Sequence, residues 1–283
     1  MTGSFFSSFL VVGFLTVPLS TFATSVEVMD SVLIIQNKTE KREFKLSRLL
    51  KRKDVENLVV EKDPSYSGQG KKYKAVRVSR LFEGLKIDDD AVIQFKSSDG
   101  FSAPIAKDRL LNTSREASIA YIALENPSAP WAPIKEGKSS AGPFYLIWKN
   151  PELSKIGKEE WPSMLLSFEI KGNLESLYPQ IFPQVATATP AVNKGFKVFT
   201  KNCFACHTMN KQGLSQMGPD LNLPLNPTEY LTDTALRRLI RNPQDVRHWP
   251  QGRMSSFPKN LISDSELDEL IEYLKHMAQV RAG

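Results

Sequence analysis

The sequence predicts two domains, an N-terminal α+β domain with mostly antiparallel strands and a C-terminal all-α domain. The chain has 283 residues and a mass of 31.8 kDa, which is long for a single domain. Short β-rich runs dominate up to residue 182, whereas apolar residues at helical spacing dominate after residue 190. Between them lies "PQVATATPA" at 183–191, an uncharged stretch bracketed by prolines, which we interpret as a linker.

The first 23 residues differ from both domains. No charged residue occurs from Phe5 to Phe22, and the stretch ends in Thr21-Phe22-Ala23, which fits the small-residue pattern of a cleavage site. We therefore predict a cleaved signal peptide over residues 1–23 and a periplasmic protein. Because the segment begins without Lys or Arg, an uncleaved anchor remains the alternative, and we expect membrane contact only in that case.

Seven β-rich runs predict the strands of residues 24–182. The runs begin at Ser31, Asn57, Tyr73, Ala91, Ser118, Pro143 and Met164. Asp99-Gly100 predicts a hairpin turn after the fourth run. The basic stretch at 41–53 is interleaved with Phe and Leu, which predicts the solvated face of an amphipathic helix.

The charge distribution gives no indication of a nucleic-acid partner. The chain has 37 Lys and Arg against 31 Asp and Glu, and residues 190–283 hold 12 of the basic and 9 of the acidic residues. Residues 1–189 and residues 190–283 therefore each have a net charge of +3, so neither is a basic domain.

Three helical segments are predicted after the linker, leading into residue 203, from Thr232 and after Ser263. The last has the clearest signals, because Ser263 and Glu266 form a capping box. Its apolar residues then share one helical face: Leu267, Leu270, Ile271, Leu274, Met277 and Ala278.

The two cysteines of the chain, Cys203 and Cys206, occur in "CFACH", followed directly by His207. A disulfide here would close a very small ring, a thioredoxin-like pair needs a βαβ setting, and a zinc site needs a second pair of ligands. Cys-x-x-Cys-His is instead the attachment signature of a c-type haem. Two thiols on one turn can bind the two vinyl groups of one covalently attached haem, while His207 binds the iron.

A six-coordinate haem iron needs a second axial ligand. The candidates with enough intervening chain are Met217, His248, Met254 and His276. Met254 stands in the loop "HWPQGRMSSFP", outside any helical face that would bury it, and we favour it for that reason. Trp249, Arg241 and Arg253 are further candidates, for hydrogen bonds to the haem propionates.

Residues 190–283 resemble a class I cytochrome c domain along their whole length. The resemblance rests on Gly195 and Phe199 before "CFACH", on "GPDL" from Gly218, on "RMSSFP", and on Tyr273 in "LDELIEYL". It implies that Met254 is the distal ligand, that the Pro219 carbonyl orients His207, and that Tyr273 packs across Gly195 and Phe199.

The first domain resembles, in the order of its motifs, the molybdopterin-binding domain of the sulfite oxidase type. The motifs are "YKAVRVSRLFEGL", "AVIQFKSSDGFSAPIAKDRLL" and "GPFYLIW". That family binds its metal through a cysteine, and residues 24–182 contain neither Cys nor His. The resemblance therefore implies the fold without the metal site.

These observations predict an exported monohaem cytochrome that carries single electrons between a redox donor and an acceptor through transient contacts, rather than an enzyme. Two alternatives remain open. In the first, the chain is the haem-bearing subunit of a periplasmic oxidoreductase whose first domain binds a pterin or substrate. In the second, it is a haem-based gas sensor.

Overall fold

The computed structural model describes residue 1, residues 30–215 and residues 217–281. The predicted signal peptide at 1–23 therefore lies, apart from Met1, outside the described residues. Within the described ranges, no helix is both long enough and apolar enough to cross a membrane.

The first domain contains two β-sheets. Its strands are β1 (Val32–Gln36), β2 (Lys41–Lys45), β3 (Glu56–Asp63), β4 (Gln69–Arg77), β5 (Ala91–Ser97), β6 (Ser102–Ala106), β7 (Ile119–Leu124), β8 (Phe144–Lys149) and β9 (Leu165–Asn173). One sheet has the order β2-β1-β9-β5-β6 and the other β3-β4-β7-β8. Of the pairings between these described strands, only β1 with β9 is parallel. The expected antiparallel character is confirmed.

All seven β-rich runs lie in strands, and the hairpin turn forms between β5 and β6, with Gly100 at φ +87°. The prediction of an amphipathic helix over residues 41–53 is wrong. Residues 41–45 pair with β1 as β2, and the helical part is the single turn α1 (Leu46–Leu49). Lys41, Glu43 and Lys45 are exposed while Arg42 and Phe44 are half-buried, and this alternation is the period of a strand. Further single turns are α2 (Val78–Leu81), α3 (Lys107–Leu110) and α4 (Leu174–Leu177).

The second domain is helical, as predicted. Its helices are α5 (Pro190–Asn202), α6 (Pro227–Tyr230), α7 (Asp233–Arg241), α8 (Pro243–Val246) and α9 (Asp264–Gln279). The capping box at the start of α9 is confirmed, since Ser263 Oγ accepts from Glu266 N at 3.2 Å and Glu266 Oε2 accepts from Ser263 N at 2.7 Å. Helices α5 and α9 cross at Gly195, where an added Cβ would lie 2.8 Å from Tyr273 Cβ. The rings of Phe199 and Tyr273 are 5.1 Å apart, so the expected packing of these residues is present.

Each domain has its own apolar core, and two features join them. Residues 174–182, upstream of the predicted linker, pack into the second core, where Ile181 is fully buried. In the other direction, Ala205 of the "CFACH" turn packs against the first core. The attachment motif therefore lies where the two domains meet.

Candidate functional site

The "CFACH" motif forms the turn that ends α5. Cys203 N donates to Phe199 O at 2.8 Å, and the backbone N–H groups of Cys206 and His207 both donate to Cys203 O, at 3.0 and 2.9 Å. Both thiols are free and lie within one turn of chain. Among the described residues there is no group of three or more His, Cys, Asp and Glu side chains that could hold a metal ion. A zinc site at these thiols therefore lacks further ligands.

One ring nitrogen of His207 is engaged with the backbone. Its Nδ1 lies 2.8 Å from Pro219 O, as the resemblance implied. Because a carbonyl oxygen only accepts, Nδ1 carries the proton, and Nε2 is left with a lone pair for a metal ion. Burial lowers the pKa of His207 and favours this neutral, ligating form.

Gly218 allows the backbone to lie flat against the imidazole. A Cβ added to Gly218 would lie 2.6 Å from Nδ1 and 2.8 Å from Nε2 of His207. Any larger residue would displace the ring, so "GPDL" fixes His207 by close approach as well as by the Pro219 carbonyl.

Asp220 holds the loop that carries Gly218 and Pro219. Its Oδ1 accepts from Asn222 N at 2.8 Å, and its Oδ2 accepts from Thr208 Oγ1 at 2.8 Å and Lys211 N at 2.7 Å. Burial alone would raise the pKa of Asp220, but the backbone hydrogen bonds outweigh it and lower the pKa. The ionised carboxylate thus ties the loop to the segment after His207.

A cleft of about 980 Å³ brings the predicted site residues together. Cys203, Cys206 and His207 line it, as does Met254. Much of the remaining wall is apolar, with contributions from Leu236, Ile240, Phe257, Leu270 and Leu274. Burial is the main cause that raises the pKa of Cys203 to about 12 and that of Cys206 to about 11, so both free thiols are protonated at neutral pH.

The loop with Met254 is attached at both of its ends. On one side, Trp249 N donates to Gln244 Oε1 at 3.0 Å. On the other, Phe257 N donates to Ile240 O at 3.2 Å, and Arg241 Nη1 donates to Phe257 O at 2.9 Å. Arg241 thus holds this loop and is absent from the cleft wall, unlike Trp249 and Arg253.

The other candidate ligands have different environments. Met217 lines the cleft, whereas His248 and His276 are absent from its wall. His276 Nε2 accepts from Gln184 N at 3.1 Å, so this nitrogen is already occupied. Met277 is 1% exposed and belongs to the core.

Two sets of residues around the site have no recognisable signal in the sequence. Asn222 and Asn226 are fully buried and donate to the α9 carbonyls of Met277 and Leu274, at 2.7 and 3.0 Å. The second set comes from the first domain, where the hairpin tip at 99–101 and Glu159 form part of the cleft wall. Contacts between residues so far apart in sequence leave no local pattern to read.

The residues present fit a covalently bound haem. Two thiols on one turn, an imidazole with a free Nε2 and a thioether line one apolar cleft whose volume is in the range of cofactor sites. Residues 192–278 match the family model described as Cytochrome c. No curated protein matches the chain. The C-terminal region therefore carries a cytochrome c domain, a haem-binding electron-transfer module, and this domain implies a covalently attached c-type haem.

Proposed function

We propose that this chain is an exported monohaem c-type cytochrome that carries single electrons between redox partners, with His207 and Met254 as axial ligands. The observation that carries the proposal is the single cleft that contains both cysteines, the free Nε2 of His207 and the Met254 thioether. The haem would supply a one-electron Fe(III)/Fe(II) couple, which thioether ligation shifts toward Fe(II).

Met254 is favoured over Met217 by the connections of the two loops. Met217 directly precedes Gly218, which lies against the His207 ring, and Pro219 O of the same segment accepts from His207 Nδ1. A methionine tied so closely to the proximal ligand is poorly placed to reach the opposite face of a haem. Met254 belongs to a separate loop, anchored on α7 and α8, which enters the cleft independently.

Fixed ligands suit electron transfer. Pro219 and Gly218 hold the imidazole, and Arg241 together with Gln244 holds the ends of the Met254 loop. Because neither ligand needs to move when the charge of the iron changes, little rearrangement accompanies each electron. We expect brief contacts with a donor and an acceptor, as for other electron-transfer pairs.

Export remains part of the proposal. It rests on the uncharged stretch from Phe5 to Phe22 and on the "TFA" cleavage pattern, and haem attachment outside the cytoplasm agrees with it. The sulfite-oxidase-like character of residues 24–182 likewise rests on the sequence resemblance alone.

The test compares Met254→Ala with Met217→Ala. Met254→Ala should keep the covalent haem, lose the near-infrared sulfur-to-iron band of the oxidised protein, lower the reduction potential and bind carbon monoxide. Met217→Ala should retain the band. Loss of the band in Met217→Ala alone would refute the ligand assignment, and ready carbon monoxide binding by the unaltered protein would favour a gas sensor.

A further inference from the structure

The first domain contributes to the wall of the haem cleft. The hairpin tip at 99–101 and Glu159 line the cleft in common with Cys203 and Cys206. Ala205, between the two cysteines, packs against the core of the first domain. A haem bound through Cys203 and Cys206 would therefore be held beside the first domain.

Glu159 is held in position by the residues on both sides of it. Glu160 is buried and pairs with Arg109, whose Nη2 donates to Oε2 at 2.8 Å. Glu160 also accepts from Gly157 N at 3.0 Å through Oε2, and its carbonyl accepts from Trp148 Nε1 at 2.7 Å. The backbone at Glu159 is thus fixed to the first domain by its neighbours.

Contacts between the domains fix this segment relative to the "CFACH" turn. Lys155 Nζ lies 3.0 Å from Glu266 Oε2 at the start of α9. Lys201, two residues before Cys203, donates to Ser154 O at 3.4 Å. The segment that carries Glu159 is therefore tied to the second domain at two points.

The Glu159 carboxylate makes no hydrogen bond or ion pair with any residue that the structure describes. It is half-buried beside the cleft, so its charge is screened less than that of a fully exposed carboxylate. A fixed negative charge stabilises the more positive Fe(III) state relative to Fe(II).

We propose that the first domain sets the reduction potential of the haem, with the carboxylate of Glu159 lowering that potential across the domain interface. This role rests on the proposed function. It makes the first domain part of the redox site, although the attachment motif and both axial ligands belong to the second domain.

The test is the isosteric variant E159Q in the full chain, followed by redox titration. Because Glu159 has no described partner, the variant removes a charge without removing a bond. At a fixed solution potential near the midpoint of the unaltered protein, the Fe(II)/Fe(III) ratio of E159Q should be about threefold higher, or more, than that of the unaltered protein. Threefold corresponds to an upward shift of about 28 mV, at 59 mV per tenfold for one electron.

The matched control is E152Q, which changes the net charge equally at an exposed position outside the cleft wall. A shift in E159Q no larger than that in E152Q would overturn the inference. The sulfur-to-iron band is recorded in each variant, so that persistence of the band without a potential shift refutes the role of Glu159 while leaving the proposed function intact. Absence of covalent haem or of the band in the unaltered protein refutes the proposed function itself.

Discussion

Gly218→Ala tests whether close approach of the backbone positions His207. The added Cβ would lie 2.6 Å from Nδ1, whereas ordinary contacts to a Cβ begin at 3.4 Å. Cε1 of the ring would lie closer still, so the imidazole must retreat by about 1 Å, or the loop must move and stretch the 2.8 Å contact between Nδ1 and Pro219 O. Metal–ligand distances tolerate only about 0.2 Å of deviation. We expect a weakened proximal bond and a loss of stability of about 1–3 kcal/mol, as for other overpacked sites.

The assay separates attachment from ligation. Covalent haem, measured by mass spectrometry, should persist in Gly218→Ala because both cysteines are intact. The absorption spectrum should shift from low-spin toward high-spin iron. Gly172→Ala is the control, since a Cβ at that position meets no atom within 4 Å, and it should leave the spectrum unchanged. An unaltered low-spin spectrum and an unaltered potential in Gly218→Ala would refute the reasoning.

Two further predictions concern attachment and the domain interface. The double variant of Cys203 and Cys206 to Ala should yield protein without covalent haem on a denaturing gel, and haem staining that persists there would contradict the attachment assignment. Burial alone would raise the pKa of Glu266, but hydrogen bonds from Ser263 and the ion pair with Lys155 hold it at about 2, below the usual 4.5. Its ionised form therefore stabilises the fold above pH 4.5, and this contribution is lost as the pH falls toward 2. Urea unfolding should show Glu266→Gln less stable than the unaltered protein by about 1 kcal/mol at pH 7 and nearly equal to it near pH 2. Glu152→Gln, at an exposed position, is the control and should leave the stability unchanged at both pH values. An equal deficit of Glu266→Gln at pH 2 would contradict the linkage.

The second domain could be predicted from sequence because its signals are local. The capping box of Ser263 and Glu266 spans four residues, and the apolar face after it repeats within one helix. The motif of Cys203, Cys206 and His207 likewise occupies a single turn. Such patterns depend on neighbours in the chain and are readable without tertiary structure.

The errors and omissions arise where distant parts of the chain decide the structure. The segment 41–45 has a composition typical of an amphipathic helix. It forms β2 instead because β1 lies across a tight turn at Asn37 and pairs with it through backbone hydrogen bonds. Glu159 enters the cleft only through the packing of one domain on the other. Asn222 is a polar residue in a loop by sequence, and its burial follows from the position of the α9 carbonyls. Local propensity holds no information on such contacts.

The packing also decides where the functional unit of the second domain begins. Tyr273 is fully buried, and its hydroxyl donates to Ile181 O at 2.6 Å. A fragment that starts at residue 190 would leave this hydroxyl without its acceptor, at a cost of about 1–3 kcal/mol, and would remove the buried Ile181 side chain as well. Because Leu174 and Tyr178 pack against the same core, the helical unit needs the chain from residue 174 onward. The stretch at 183–191 therefore connects two parts of the second core, because the residues before it and the residues after it both pack into that core.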